Sequence, residues 1–140
     1  MTTIVRRVQF CAGHRLLKHE GECSHLHGHN YVVYFHATAQ TLDSVGRVID
    51  FSVLKDRLGG WIETHWDHGF ICYKQDHEAR EALSAIEAQK VFLLDDNPTA
   101  ENLARYLLNV VGPRELAGTG TQLIRVVLWE TENCCAEASV

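Results

Sequence analysis

The chain lacks any long apolar segment. Among its 140 residues no run approaches the ~18 apolar residues of a membrane span, and the first ten residues contain no apolar core of a secretion signal. It also lacks an excess of positive charge, since the net charge is -5 at pH 7, which argues against nucleic acid or an anionic membrane as the main partner. No internal repeat, low-complexity tract or linker interrupts it. We therefore expect a single domain, 1–140, with neither partner.

The cysteines lack the pattern of a disulfide-bonded protein. The five cysteines are an odd number and lack the spacing of secreted, disulfide-rich proteins. At least one thiol must therefore stay free or pair between chains. A reducing compartment suits such a chain, and we expect a cytoplasmic protein.

Strand patterns occupy both ends of the chain. Residues 2–10 alternate imperfectly because Arg6 shares a face with apolar residues, whereas 31–39 alternate clearly. Residues 122–130 form a third alternating segment, and 133–140 are predicted to return as its hairpin partner. These four strands predict an antiparallel sheet.

Helical patterns occupy the middle. Residues 51–65 carry apolar side chains at three- and four-residue steps, with Asp50 or Ser52 as cap and the glycines at 59–60 weakening or ending the helix. A second helix is predicted over 100–111, capped by Thr99 and stopped by the Gly-Pro at 112–113, and a shorter one over 78–90. Two hairpins that flank helices indicate an α+β fold with helices on one face of the sheet.

The segment 23–29 (CSHLHGH) carries the strongest chemical signal. In a strand His27 and His29 project to the same face, and His14, thirteen positions earlier, is close enough for a hairpin to add a third imidazole. Three histidines with a fourth position open are typical of catalytic zinc. Solvated histidines near a strand end are the ordinary alternative. His25 has the same parity as His27 and His29, so spacing alone does not exclude it in place of His14.

A thiol and an Asp-His pair are the next candidates. Cys23 can be a metal ligand, a base or a buried apolar residue, and most free cysteines are the last of these. Its thiol becomes reactive only near a cation or a base, which His68 can supply if Asp67 orients the imidazole. Glu130, at the end of an apolar strand face, is either exposed or buried with partners that offer paired N–H donors.

Six motifs, in order, resemble the 6-pyruvoyltetrahydropterin synthase and 6-carboxytetrahydropterin synthase family. They are 10–16 (FCAGHRL), 23–31 (CSHLHGHNY), 46–51 (GRVIDF) with the Leu-Lys at 54–55, 66–68 (WDH), 98–103 (PTAENL) and 129–131 (WET). Departures from the family pattern are the small Gly13, Trp66 in place of an aliphatic residue, and a long segment at 76–90.

The resemblance implies the tunnelling fold, a four-stranded antiparallel sheet with two long helices on one face. It further implies a homo-oligomeric ring, a hexamer built as a dimer of trimers, with pterin sites between subunits. By position, the metal ligands are His14, His27 and His29 for Zn²⁺, the catalytic residues are Cys23, Asp67 and His68, and the substrate-binding residues are Glu130 and Thr99.

The activity implied is that of a zinc-dependent lyase acting on 7,8-dihydroneopterin triphosphate, a small-molecule substrate. Three residues separate Cys23 from His27, as in the 6-carboxytetrahydropterin synthases of queuosine biosynthesis, which release acetaldehyde and triphosphate. The alternatives are a 6-pyruvoyltetrahydropterin synthase, a non-catalytic zinc- or pterin-binding protein, and a three-histidine zinc hydratase. Arg15, Lys18, Lys55 and Arg105 are candidate cations for the triphosphate.

Overall fold

The chain forms six strands and three helices in the computed structural model, which describes residues 1–140. The strands are β1 (Thr3–His14), β2 (His27–Ala39), β3 (Gly69–Tyr73), β4 (Val91–Leu94), β5 (Thr121–Thr131) and β6 (Cys134–Ser139). The helices are α1 (51–65), α2 (His77–Ser84) and α3 (100–115), and a short 3₁₀ turn covers Glu22–Ser24. None of the helices is long and apolar enough to cross a membrane.

All six strands belong to one sheet, in the order β4-β3-β1-β2-β5-β6. The β1/β2, β2/β5 and β5/β6 pairs are antiparallel, as the sequence predicted, but β3 runs parallel to β1 and β4 parallel to β3. The expected four-stranded antiparallel sheet was therefore wrong. The two added strands are short apolar runs (GFICY and VFLL) without alternation, so periodicity does not identify them.

Two long helices were predicted and are confirmed: α1 covers the predicted range 51–65, and α3 runs beyond the predicted end at residue 111 to Glu115. In α1 a π-helical turn, Lys55–Gly59, separates Phe51–Leu54 from Gly60–His65; in α3 the π turn Leu107–Val111 separates Ala100–Tyr106 from Gly112–Glu115. Their predicted caps are present, since Asp50 accepts from the Ser52 N–H and Thr99 from the Asn102 N–H. The glycines at 59–60 cost only about 1 kcal/mol each, so core packing keeps α1 helical through them.

The main core lies between the sheet and the two long helices. Strand alternation buries one face of each central strand, and these side chains form a 23-residue apolar cluster with those of α1 and α3. Phe10 and Tyr31 stack within it at 5.0 Å between ring centroids. Both long helices therefore cover the same face, as predicted.

The short helix α2 covers the opposite face of the sheet. Phe70 and Cys72 of β3 pack with Ala79 and Leu83 of α2 in a separate small cluster. The helix ends at Ser84 and not near residue 90, because the chain must turn to enter β4. Gly13 belongs to this face: a Cβ there would lie 2.8 Å from the Phe70 ring, so the neighbouring aromatic side chain accounts for the glycine.

Candidate functional site

Four potential metal ligands converge where the β1/β2 hairpin meets β5. One ligand atom from each of His14, His27, His29 and Glu130 lies within 4.8 Å of the others. The hairpin register sets His14 opposite His27, and alternation along β2 turns His29 to the same face. The hairpin predicted from the thirteen-residue spacing therefore brings these side chains together. His25 lies before β2, is exposed and is not part of this group.

Backbone carbonyls orient two of the imidazoles. The buried His14 ring donates from Nδ1 to the Pro98 carbonyl at 2.7 Å, and His27 donates from Nδ1 to the His25 carbonyl at 2.7 Å. The Tyr31 hydroxyl lies 3.3 Å from the same His14 nitrogen. Metal-ligating histidines almost always use their second ring nitrogen in this way. Each Nε2 is thereby left facing the group.

The electrostatics of the group suit a cation. The buried Nε2 atoms of His14 and His29 have no hydrogen-bond partner, although each lies 3.1 Å from the Glu130 Oε1 atom. Burial lowers the pKa of His29, which favours its neutral, ligating form. The contact with His14 and the neighbouring imidazoles lowers the pKa of Glu130 despite its burial, which keeps the carboxylate charged. This group can bind a metal ion.

Glu130 is placed in a way the sequence did not predict. Its carboxylate, about 25% exposed, lies against two imidazoles rather than facing open solvent. Sequence reasoning left the fourth coordination position open, whereas the structure puts a carboxylate beside it. The alternation of β5 carried this signal, since Glu130 has the parity of the buried Val126 and Leu128.

Asp67 and His68 form an ion pair just after α1. The His68 Nδ1 atom lies 2.9 Å from the Asp67 Oδ2 atom, and the His68 side chain is 78% exposed. His68 has a φ of 59°, in the left-handed region that is uncommon for residues other than glycine. Burial alone would raise the pKa of Asp67, but hydrogen bonds from the Cys11 backbone N–H and from the His68 ring outweigh it and lower that pKa.

The thiol beside this pair is Cys11 and not Cys23. Ligand atoms of Cys11, Asp67 and His68 lie within 4.8 Å of one another, whereas the Cys23 thiol, in the 3₁₀ turn, has no hydrogen bond to either. The predicted Cys23, Asp67 and His68 set is therefore not assembled within one chain. Sequence reasoning missed Cys11, although its parity in β1 places it on the opposite face from His14.

Two further predicted residues serve structural contacts. The Thr99 hydroxyl caps α3, directly after the carbonyl that holds His14. Arg15 donates to both oxygens of the buried Asp76 carboxylate at 2.6 Å, so its charge is already paired. Of the four candidate cations for a triphosphate, Lys18, Lys55 and Arg105 make no ion pair.

Known proteins resemble this chain along nearly its whole length. Residues 3–139 match the family described as 6-pyruvoyl tetrahydropterin synthase. A protein of Rickettsia bellii named 6-carboxy-5,6,7,8-tetrahydropterin synthase is 37% identical over 98% of this chain and 99% of its own length. A protein of the same name from Aquifex aeolicus is 33% identical over 96% and 95%.

Solved structures share the fold at low sequence identity. An uncharacterized protein of Wolinella succinogenes superposes with a TM-score of 0.81 at 24% identity, covering 99% of this chain and 97% of its own. The 6-pyruvoyl tetrahydropterin synthase of Caenorhabditis elegans gives 0.70 at 22%, covering 99% and 95%. The family match, the full-length relatives and the common fold agree, and the chain belongs to the 6-pyruvoyl tetrahydropterin synthase family.

Proposed function

We propose that the chain is a zinc-dependent 6-carboxytetrahydropterin synthase of the queuosine pathway. It converts 7,8-dihydroneopterin triphosphate to 6-carboxy-5,6,7,8-tetrahydropterin, acetaldehyde and triphosphate. The observation that carries the proposal is the convergence of three imidazoles, two of whose buried Nε2 atoms have no hydrogen-bond partner. Relatives that bear this enzyme's name along their full length support the same substrate.

Zinc is the metal we assign to His14, His27 and His29. Imidazole ligands suit zinc, and sites with three histidines keep a position for water or substrate. A zinc ion held by these three imidazoles would act as a Lewis acid, which would make protons of the substrate side chain easier to remove. The carbonyls of Pro98 and His25 then act through the imidazoles by holding their orientation.

We assign proton transfer to Cys23, Asp67 and His68. Asp67 binds the Nδ1 side of the His68 ring, which leaves Nε2 to accept or donate a proton. Because one chain does not unite this pair with Cys23, we propose that neighbouring subunits complete the site. The β1 strand pairs with β3 only at Ala12 and Gly13, so most of one β1 edge is free for strand-to-strand assembly into a homo-oligomer.

The pterin ring is assigned to Glu130 and Thr99. A 2-amino-4-oxo pterin presents two parallel N–H donors, which match the two oxygens of the Glu130 carboxylate. That carboxylate is held next to the imidazoles, so a pterin bound to it has its side chain near the metal.

Product analysis tests the proposal. Purified protein loaded with one zinc per chain is incubated with dihydroneopterin triphosphate, and the products are identified by mass; a chelated sample is the control. We expect 6-carboxytetrahydropterin, acetaldehyde and triphosphate, with loss of turnover on chelation and recovery with zinc. Release of triphosphate without acetaldehyde would instead identify a 6-pyruvoyltetrahydropterin synthase. Unconsumed substrate would identify a binding protein.

A further inference from the structure

We propose that Cys11, Asp67 and His68 form a second metal site, which takes zinc or a similar thiophilic divalent cation. The thiolate, carboxylate and imidazole of this group lie within 4.8 Å of one another on a single chain. The cluster is separate from the histidine cluster in composition, since only it contains a sulfur.

Hydrogen bonds already hold the three residues together. The His68 N–H donates to the Cys11 carbonyl at 2.7 Å, and the Cys11 N–H donates to the Asp67 Oδ1 atom at 3.0 Å. The Lys90 ammonium donates to the Asp67 carbonyl at 2.7 Å and to the Glu63 carbonyl at 2.9 Å, which secures the turn from the other side. The backbone therefore holds the three residues next to one another before any cation arrives.

Strand alternation separates the two sites. Cys11 and His14 have opposite parity in β1, so their side chains leave opposite faces of the strand. Cys11 and His68 line an open cleft of about 330 Å³, whose walls also include His29 and the side-chain-free Gly13, Gly28 and Gly69. This space admits a hydrated cation and leaves room for water to complete its coordination.

The donor set favours zinc over harder cations. Thiolate and imidazole are preferred by zinc and other borderline metals, whereas calcium and magnesium prefer oxygen ligands. Zinc–ligand bonds of about 2.0–2.3 Å require the three atoms to approach more closely than 4.8 Å. The His68 ring is 78% exposed, so it can rotate into place at little cost.

Occupancy of this site has a consequence that rests on the proposed function. A bound cation would replace the 2.9 Å contact between Asp67 and His68. The pair would then be unable to transfer protons. Zinc beyond one equivalent per chain should therefore inhibit turnover.

Cobalt tests the metal site without any reliance on activity. Chelated protein, kept reduced, is titrated with Co²⁺ while the near-ultraviolet thiolate-to-cobalt absorption is recorded. The histidine site has no sulfur ligand, so this absorption reports the second site alone. We expect two equivalents to bind per chain, with the thiolate absorption developing with the weaker one. Cys11→Ser should retain one equivalent and lose the absorption.

Cys23→Ser is the matched control: within one chain Cys23 lies outside the cluster, so this variant should keep both equivalents and the absorption. One equivalent without thiolate absorption in the wild type would overturn the proposal. So would an absorption that survives Cys11→Ser and disappears in Cys23→Ser. Loss of a hydrogen-bond partner of a metal ligand already costs about 10–100-fold in metal affinity, so loss of a ligand itself should raise the inhibitory zinc concentration at least as much. Zinc inhibition equal in wild type and Cys11→Ser would also contradict the proposal.

Discussion

Single side chains at the histidine cluster are held by partners far away in sequence. His14 depends on the carbonyl of Pro98, which stands just before α3, and His29 faces a carboxylate from β5. The orientation of the His14 ring is therefore set from outside its own strand. Because the ring is already ordered, metal binding there costs less side-chain conformational entropy.

Glu130 is the residue whose role most needs a direct test. If its carboxylate binds the two pterin N–H donors, Glu130→Gln presents an amide that satisfies only one of them. An unpaired buried donor costs about 1–3 kcal/mol, so we expect pterin affinity to fall by roughly 5- to 150-fold. Calorimetric titration with sepiapterin measures this, and metal analysis should still find one zinc per chain.

Glu132→Gln is the control for this substitution, because Glu132 is exposed in the β5–β6 turn and makes no ion pair. Glu132→Gln should change neither the pterin affinity nor the zinc content. Loss of zinc from Glu130→Gln with unchanged pterin affinity would make Glu130 a metal ligand instead of a pterin anchor.

At the scale of elements, the α2 segment is tied to the strand that supplies His14. Arg15, directly after His14, forms a two-point ion pair with Asp76, and Asp76 also caps α2 by accepting from the Ala79 N–H at 3.1 Å. Asp76 is 2% exposed and Arg15 17%. The long segment at 76–90 is therefore anchored beside the site.

Replacement of Asp76 should destabilise the fold measurably. Breaking a buried pair costs about 3–5 kcal/mol, so Asp76→Ala should lower the free energy of unfolding by roughly that amount in urea denaturation of chelated protein at pH 7. Asp76→Asn should cost less, because asparagine retains the helix cap. Asp95→Asn is the control, since its pair with Lys74 is exposed and 3.6 Å long.

The contribution of Asp76 to the free energy of unfolding should depend on pH. The hydrogen bonds from Arg15 lower the pKa of Asp76 below its unfolded value of about 3.9. The carboxylate therefore contributes its full stability above about pH 4, and that contribution is lost as pH falls through the folded-state pKa. The difference in unfolding free energy between wild type and Asp76→Asn should narrow in acid. A difference independent of pH would show that Asp76 acts through packing alone.

At the scale of the whole molecule, the proposed site requires more than one chain. The helices α1 and α3 pack on one face of the sheet, and the other face of β2 and β5 carries the half-buried Tyr34, Val127 and Trp129. The free β1 edge and the outer strand β6 lie at separate positions in the sheet. Such edges suit closure into a ring.

Mixed oligomers test whether Cys23 and His68 act across subunits. Cys23→Ala and His68→Ala should each be inactive when assembled alone. In oligomers of both variants, co-expressed with different tags and purified through both, random pairing gives about a quarter of sites with both residues intact, provided that the site lies between chains. Activity near that fraction of wild type is expected. Mixed oligomers without activity would place the relay inside one chain.

Much of the site was predictable from local spacing. Residues two apart in a strand share a face, so the positions of His27 and His29 were determined once the segment was a strand, and a short hairpin was the simplest way to add His14. The caps Asp50 and Thr99 were equally local, because a side chain two or three residues away satisfies the free N–H groups of a helix.

Long-range packing decided the rest. Whether Glu130 meets the histidines depends on the register between β2 and β5, and whether Cys11 meets Asp67 depends on the parallel pairing of β1 with β3. The apolar periodicity of a single segment does not reveal with which residues of another strand it pairs. Thus the sequence by itself determined the types of the candidate metal ligands, their spacing and the order of the main elements. Only the tertiary structure decided which thiol and which carboxylate stand beside them, because those neighbours are set by contacts between residues more than fifty positions apart.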